Sequence, residues 1–171
     1  KRQAVGAEGE VHVIAANVAY AFLVQAIDRH FNINRLERYM TICNSSRVKS
    51  IIVLTKTDLA DDLKISEITA MIKERISDVP VVAVSNRDLS GYDTLKNLIR
   101  KDCTYCMLGS SGVGKSTLLN NLTGTQVMKT GRISDSTKKG RHITSHREMV
   151  ILDGGGLLID NPGMKEVGIA D

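Results

Sequence analysis

The sequence predicts an α/β domain of three layers, a mainly parallel sheet with helices on both faces, and two observations carry that prediction. Short apolar runs alternate with stretches of about ten residues at helical spacing, the pattern of strand–helix repeats. A glycine-rich loop, Gly109-Ser-Ser-Gly-Val-Gly-Lys-Ser116, stands between one apolar run and one helical stretch, where sheets of this kind hold phosphate ligands. A chain of 171 residues accommodates one core of ordinary size and not two.

The elements follow in order. Val11–Ala16 and Tyr20–Ile27 read as strands, and Asn34–Arg47 as a helix from Leu36, Tyr39, Met40 and Cys43 on one face, with Asn32 or Asn34 as its cap. Ser50–Thr55 is a strand, Leu63–Ile76 a helix, Val79–Val84 a strand and Ser90–Ile99 a helix. Thr104–Leu108 is the strand entering the glycine-rich loop and Lys115–Leu122 the helix leaving it. Glu148–Leu152 and Leu157–Asp160 close the series as two further strands.

Composition narrows the class. With 42% hydrophobic and 25% charged residues the chain is an ordinary globular sequence, and no apolar run approaches the roughly 18 to 20 residues of a membrane span, so no membrane partner is expected. Three scattered cysteines, Cys43, Cys103 and Cys106, are unlike a secreted disulfide framework and point to a reducing cytoplasm. Cys103 and Cys106 fall three apart in an expected strand, on opposite faces, which argues against a zinc or redox pair. The formal net charge of +4 is concentrated: Lys129 to Arg147 holds six basic residues against Asp135 alone, a net of +5. That segment has no apolar periodicity and reads as a basic loop suited to an anionic partner.

Five motifs carry chemistry. The loop 109–116 matches GxxxxGK[ST] in the context that motif needs. Its glycines let successive N–H groups face one cavity, and the helix that follows adds partial positive charge there. Gly109, Ser110, Ser111, Gly112, Val113, Gly114, Lys115, Ser116 and Thr117 are the candidate phosphate-binding residues, with Lys115 reaching the β- and γ-phosphates and the Ser116 hydroxyl on Mg²⁺. Thr55-Lys-Thr-Asp58 resembles the [NT]KxD guanine motif: Asp58 accepts from N1–H and the exocyclic amine of guanine, Lys56 lays its stem over the purine, and Thr55 stands for the commoner Asn with a weaker hold on the loop. Val84-Ser85-Asn86 resembles the loop, often Ser-Ala, whose amide meets guanine O6. Asn86 departs from Ala there.

Leu157-Leu-Ile-Asp-Asn-Pro-Gly163 matches DxPG after a strand, with Asp160 holding Mg²⁺ through water and the Gly163 amide on the γ-phosphate. The next residue is Met164, which has no group to orient an attacking water, so either hydrolysis is intrinsically slow or another residue supplies the function. Thr144 in Gly140-Arg-His-Ile-Thr-Ser-His146 is the candidate switch ligand of Mg²⁺, with Ser145 as the alternative. His142 either positions water or a partner, or is a solvated loop histidine.

The order of the motifs is the informative feature. Guanine motifs come first, at 55–58 and 84–86, then the phosphate loop at 109–116, the switch near 144 and DNPG at 160–163, whereas ordinary GTPases begin with the phosphate loop. The order predicts a circularly permuted GTPase domain of the P-loop NTPase class, a rearrangement tolerated because domain termini lie at the surface, often close together. The order, with GSSGVGKST, GRHITSHRE, IDNPG and Ala15-Ala-Asn-Val18, resembles the small-subunit-dependent ribosomal GTPase family known as RsgA or YjeQ over nearly the whole chain. Ile143, Ser145 and Asn161 replace family threonines, and Ala19 stands where an Asp is usual.

The resemblance implies a GTP/GDP-binding, Mg²⁺-dependent GTPase, slow alone and stimulated by the ribosome. It implies work late in 30S maturation, with the 30S subunit and 16S rRNA as partners of a cytoplasmic monomer. It also implies an oligonucleotide-binding barrel before this domain, of which residues 1–10 would be the exit segment. Residues 11–171 would then be the GTPase domain, and zinc would belong only to an absent C-terminal domain. Three other readings compete: a permuted GTPase of large-subunit assembly, a P-loop ATPase or small-molecule kinase, and a passive RNA-binding module. Ser111-Gly112 and Arg141-His142 oppose the first, nucleotide competition tests the second, and the third leaves two nucleotide motifs unexplained.

Overall fold

Parallel strands covered on both faces are apolar throughout instead of alternating, and the centre of this chain is built that way. The structure, a computed structural model, describes residues 2–3, 11–12, 17–29, 31–124 and 148–160. Strands β1 (Arg2–Gln3) and β2 (Val11–His12) form a small antiparallel ladder. The main elements follow as β3 (Tyr20–Ala26), α1 (Ile33–Ser45), β4 (Lys49–Thr55), α2 (Asp62–Arg75), β5 (Val81–Ala83) and α3 (Tyr92–Asn97). The series ends with β6 (Thr104–Leu108), α4 (Lys115–Thr123), β7 (Glu148–Ile151) and β8 (Leu157–Asp160). Six strands make one sheet in the order β5-β4-β3-β6-β8-β7, parallel throughout except for β7 against β8.

Period-2 alternation of β3 sorts the core into two layers. Phe22 and Val24 join Ile51, Val53, Tyr105 and Met107 beneath Tyr92 and Leu95 of α3 and Leu118, Leu119 and Leu122 of α4. Ala21 and Leu23 join Ile52, Leu54 and Leu108 beneath Leu36 and Tyr39 of α1 and Ile68 and Ile72 of α2. The three-layer expectation holds, with α1 and α2 on one face and α3 and α4 on the other.

Because β4, β5, β6 and β8 run parallel, their carboxyl ends share one edge of the sheet. The loops after β4, β5 and β6 therefore meet there, although the chain visits their motifs in permuted order. Cys106 pairs with Ile159, so Asp160 ends β8 beside the strand that enters the glycine-rich loop. Cys103 packs on the α3/α4 layer and Cys106 in the α1/α2 layer, on opposite faces as expected. Burial, with the Cys43 thiol nearby, pushes the Cys106 thiol up to about 12.

Boundaries differ from expectation in places with identifiable causes. The strand expected over Val79–Val84 is only Val81–Ala83, since Pro80 has no N–H and joins by its carbonyl, which accepts from Ile52 at 2.8 Å. The helix expected from Ser90 begins at Tyr92 because Leu89 and Gly91 both sit at positive φ, 65° and 78°. The strand ending at Leu152 stops at Ile151, where Leu152 turns its N–H to Gly156 at 2.8 Å. A 3₁₀ turn over Thr57–Leu59 was not expected. Of Val11–Ala16, residues 13–16 lie outside the described residues.

Candidate nucleotide-binding site

The glycine-rich loop links the end of β6 to the start of α4. A Cβ at Gly109 would lie 2.5 Å from the Val24 carbonyl oxygen, so the loop leaves the sheet by a close approach that only glycine permits. Gly112 and Gly114 have φ of 77° and 93°, which curls the backbone ahead of α4. Gly114 is the N-cap of that helix and has no side chain to satisfy its first amides, which stay available to an anion. Ser111 and Gly112 are exposed, Val113 is buried, and Ser110, Lys115, Ser116 and Thr117 are half-buried.

Lys115 stands at the first position of α4 and turns back over the loop, donating to the carbonyls of Gly109 at 2.7 Å and Ser110 at 2.6 Å. Its ammonium thus lies inside the curl, facing the region the loop amides enclose. Ser116 follows it in the first turn, where a hydroxyl can serve as a hard oxygen ligand.

Thr55 ends β4 fully buried. Its hydroxyl lies 2.5 Å from the Val113 carbonyl of the glycine-rich loop and 3.3 Å from the Gln25 carbonyl at the end of β3. A hydroxyl has one proton, and the shorter contact identifies Val113 as its acceptor. Through this bond the threonine joins the two motifs directly.

Lys56 adopts the left-handed conformation, φ 61°, and its ammonium pairs with Asp28 at 3.2 Å. Asp58 follows in the 3₁₀ turn with its carboxylate exposed, and its Oδ1 accepts from the Ser85 hydroxyl at 3.4 Å. Ser85 is 1% exposed, and its hydroxyl oxygen also accepts from the amides of Arg87 and Asp88, which fixes the loop after β5. Asn86 is a brace: Nδ2 donates to the Gly114 carbonyl at 3.3 Å, and Oδ1 accepts from the Tyr92 hydroxyl at 2.6 Å. Asn121 of α4 donates to that same hydroxyl at 3.0 Å. Burial holds the Tyr92 phenol up to about 12, so it stays a donor.

The structure therefore brings Thr55, Lys56, Asp58, Ser85, Asn86 and the residues of the 109–117 loop to one edge, with the backbone of Asp160 at the end of the neighbouring strand. Thr144, Ser145, His142, Gly163 and Met164 lie outside the described residues, as does the basic segment 129–147. Sequence reasoning did not single out Gln25, Asp28 or Arg35. The last donates to the Ser110 hydroxyl at 2.8 Å. As a donor set, amides from a helix start, an ammonium and a serine hydroxyl suit a polyphosphate with a hard divalent cation.

Comparison with known proteins identifies the family. The family model for RsgA GTPase matches residues 1–170. The small ribosomal subunit biogenesis GTPase RsgA 1 of Listeria innocua is 43% identical over 162 residues, 95% of this chain and 46% of that protein. The crystal structure of YjeQ from Thermotoga maritima superposes with a TM-score of 0.66 at 25% identity, covering 91% of this chain and 51% of that one. YloQ, described as a circularly permuted GTPase, gives a TM-score of 0.62 at 27% identity over 90% of this chain and 47% of its own. This chain spans about half the length of the proteins it matches. The permuted order of its motifs, the fold that reunites them and these likenesses agree, and the chain belongs to the RsgA GTPase family.

Proposed function

We propose that this chain binds GTP and GDP with Mg²⁺ and hydrolyses GTP, in a protein that works late in maturation of the small ribosomal subunit. The observation that carries the nucleotide part is the bond from Thr55 to the Val113 carbonyl. It locks a guanine-reading motif and a phosphate-binding loop into one cradle although 58 residues of chain separate them. Asp58 reads the base through N1–H and the exocyclic amine, Lys56 packs along the purine, and the loop after β5 offers its backbone to O6, with Ser85 and Asn86 holding it in place. Residues Gly109 to Thr117 cradle the phosphates, with Lys115 on the β- and γ-oxygens.

Ser116, Thr144 and Asp160 supply only oxygen donors, a set that fits Mg²⁺. The ion's contribution when bound is to neutralise charge on the phosphate oxygens. Thr144 and the Gly163 amide serve as sensors of the γ-phosphate, and His142 is the candidate to place water where Met164 cannot.

The ribosomal part rests on the relatives, whose names specify small-subunit biogenesis, and on the +5 charge of residues 129–147. We take 16S rRNA as the partner of that segment, because phosphate contacts by clustered Lys and Arg give salt-dependent binding. The protein acts as a monomer in the cytoplasm. Among the described residues no helix is long and apolar enough to cross a membrane.

GTP turnover measured with and without purified 30S particles tests the proposal. Slow turnover alone and a large increase with 30S are expected. Neutralising Lys138, Lys139 and Arg141 together should leave guanine binding intact and remove most of that increase. Equal turnover with and without 30S would overturn the ribosomal reading, and an undiminished increase in the triple variant would overturn the role of the basic segment.

A further inference from the structure

Two cationic groups converge on one residue of the phosphate loop. The Lys115 ammonium donates to the Ser110 carbonyl oxygen, and Arg35 Nη1 donates to the Ser110 hydroxyl oxygen at 2.8 Å. Arg35 belongs to α1, 75 residues away in sequence, and nothing in the nucleotide motifs accounts for it.

The root of this side chain is held firmly. Arg35 stands in the first turn of α1, and its amide donates to the side-chain oxygen of the N-cap, Asn32, at 3.3 Å. Asn32 is gripped in turn by Gln25 of β3, 1% exposed, which donates to the Asn32 carbonyl at 2.8 Å and accepts from the Asn32 amide at 3.0 Å. The Gln25 carbonyl lies beside the Thr55 hydroxyl that joins the guanine motif to the phosphate loop. One buried glutamine therefore fixes the start of α1 and the end of β3 against the same cradle.

The guanidinium itself is under-used. It carries five N–H donors, and among the described residues its one hydrogen-bonded side-chain partner is a neutral hydroxyl. Among the described residues no carboxylate lies within ion-pair distance of it. A half-buried guanidinium without an anion beside it costs desolvation that an arriving anion offsets. The anion this loop is shaped to receive is a phosphate.

We propose that Arg35 is a cis-acting arginine of the phosphate site. On binding of guanosine triphosphate its guanidinium passes from the Ser110 hydroxyl to the terminal phosphate, where it stabilises the charge that develops on the phosphoryl oxygens during hydrolysis. Met164 contributes no polar group at the position after DNPG, so a cation delivered from α1 supplies part of what the switch lacks. The inference rests on the GTPase reading above and adds a residue outside its motifs.

The test uses the purified parent chain and the variants Arg35→Ala, Arg35→Gln and Arg35→Lys. Affinities for GDP and for a non-hydrolysable GTP analogue are measured together with single-turnover hydrolysis, and thermal melting establishes that each variant is folded. Arg35→Ala and Arg35→Gln should lose about tenfold or more in affinity for the analogue and at least about 100-fold in hydrolysis, with GDP affinity within about twofold of the parent. Arg35→Lys should recover part of the analogue affinity. Equal losses for GDP and analogue would mean that Arg35 only braces the loop, and no loss would mean a surface contact; either result overturns the proposal. A parent chain that binds neither nucleotide would defeat the GTPase reading itself, an outcome distinct from both.

Discussion

The two edges of the central sheet are built from different chemistry. At the carboxyl edge, buried and half-buried polar side chains bridge loops: Thr55 to Val113, Asn86 to Gly114, Lys115 to Gly109 and Ser110. At the amino edge the rings of Tyr20 and Phe22 both stack on Tyr105, each with centroids 5.1 Å apart, and Lys49 and Arg100 lie 5.9 and 5.8 Å from the Tyr20 centroid. The amide of Arg100 donates to the Tyr105 hydroxyl at 2.7 Å, so this end is tied down as well as stacked. A cavity of about 670 Å³ lies at the amino edge, lined by Tyr20, Arg47, Lys49 and Arg100 among others, at the end of the sheet away from the nucleotide-motif loops. The difference teaches that apolar and aromatic contacts carry stability at one edge, while the other edge gives up apolar packing for a preorganised ligand cradle.

Removing the ammonium of the cradle should therefore abolish activity and barely move stability. Lys115→Ala removes the ammonium proposed to hold the phosphates, and hydrolysis is expected to fall by about 1,000-fold or more with the melting temperature little changed. A turnover assay beside a thermal melt checks both parts. Breaking the amino edge should do the reverse. Tyr105→Ala empties the centre of the ring stack and is expected to cost about 3–5 kcal/mol, measured by urea unfolding, while the protein that remains folded keeps its preference among nucleotides.

Two smaller changes sharpen the comparison. Thr55→Val keeps the shape of the side chain but leaves the Val113 carbonyl without its donor, for an expected cost of about 1–3 kcal/mol. That cost should appear in nucleotide affinity as well as in unfolding, since Thr55 joins the two motifs. Tyr92→Phe interrupts the path from Asn121 to Asn86 and should cost about 1 kcal/mol.

The same tyrosine gives a pH prediction. Its folded pKa of about 12 lies above its ordinary value of 10.0. The stability it contributes is therefore fully present below pH 10 and lost as pH rises towards 12. Alkaline unfolding curves of Tyr92→Phe should be flatter than those of the parent across that window.

How much of this was legible in the sequence depends on how local the cause is. Strands β3, β4 and β6 announce themselves because both of their faces are covered, which leaves apolar runs such as Ile51-Ile-Val-Leu54. The glycine-rich loop is legible because its conformation is fixed by glycines at set positions. The ties between loops are not. Thr55–Val113 spans 58 residues and Arg35–Ser110 spans 75, and such pairs follow from the packing of elements that the sequence specifies only one by one. Asn86 illustrates the point: in sequence it reads only as a departure from Ala in the guanine loop, whereas in the fold it braces the Gly114 carbonyl. The start of α3 was missed for a related reason, since Leu89 at positive φ carries no sign of it in its identity.

The central claim is that this edge of the sheet is a guanine-nucleotide site read by Asp58. Titration of the parent and of Asp58→Asn with GTP, ATP and xanthosine triphosphate tests it most directly. Guanine presents two donors to the carboxylate, while xanthine presents one donor and one acceptor, which an amide matches. The parent should prefer GTP strongly over ATP, and Asp58→Asn should lose about 2–4 kcal/mol of GTP affinity while gaining affinity for xanthosine triphosphate. A parent that binds ATP and GTP equally, or a variant whose base preference does not change, would contradict the account.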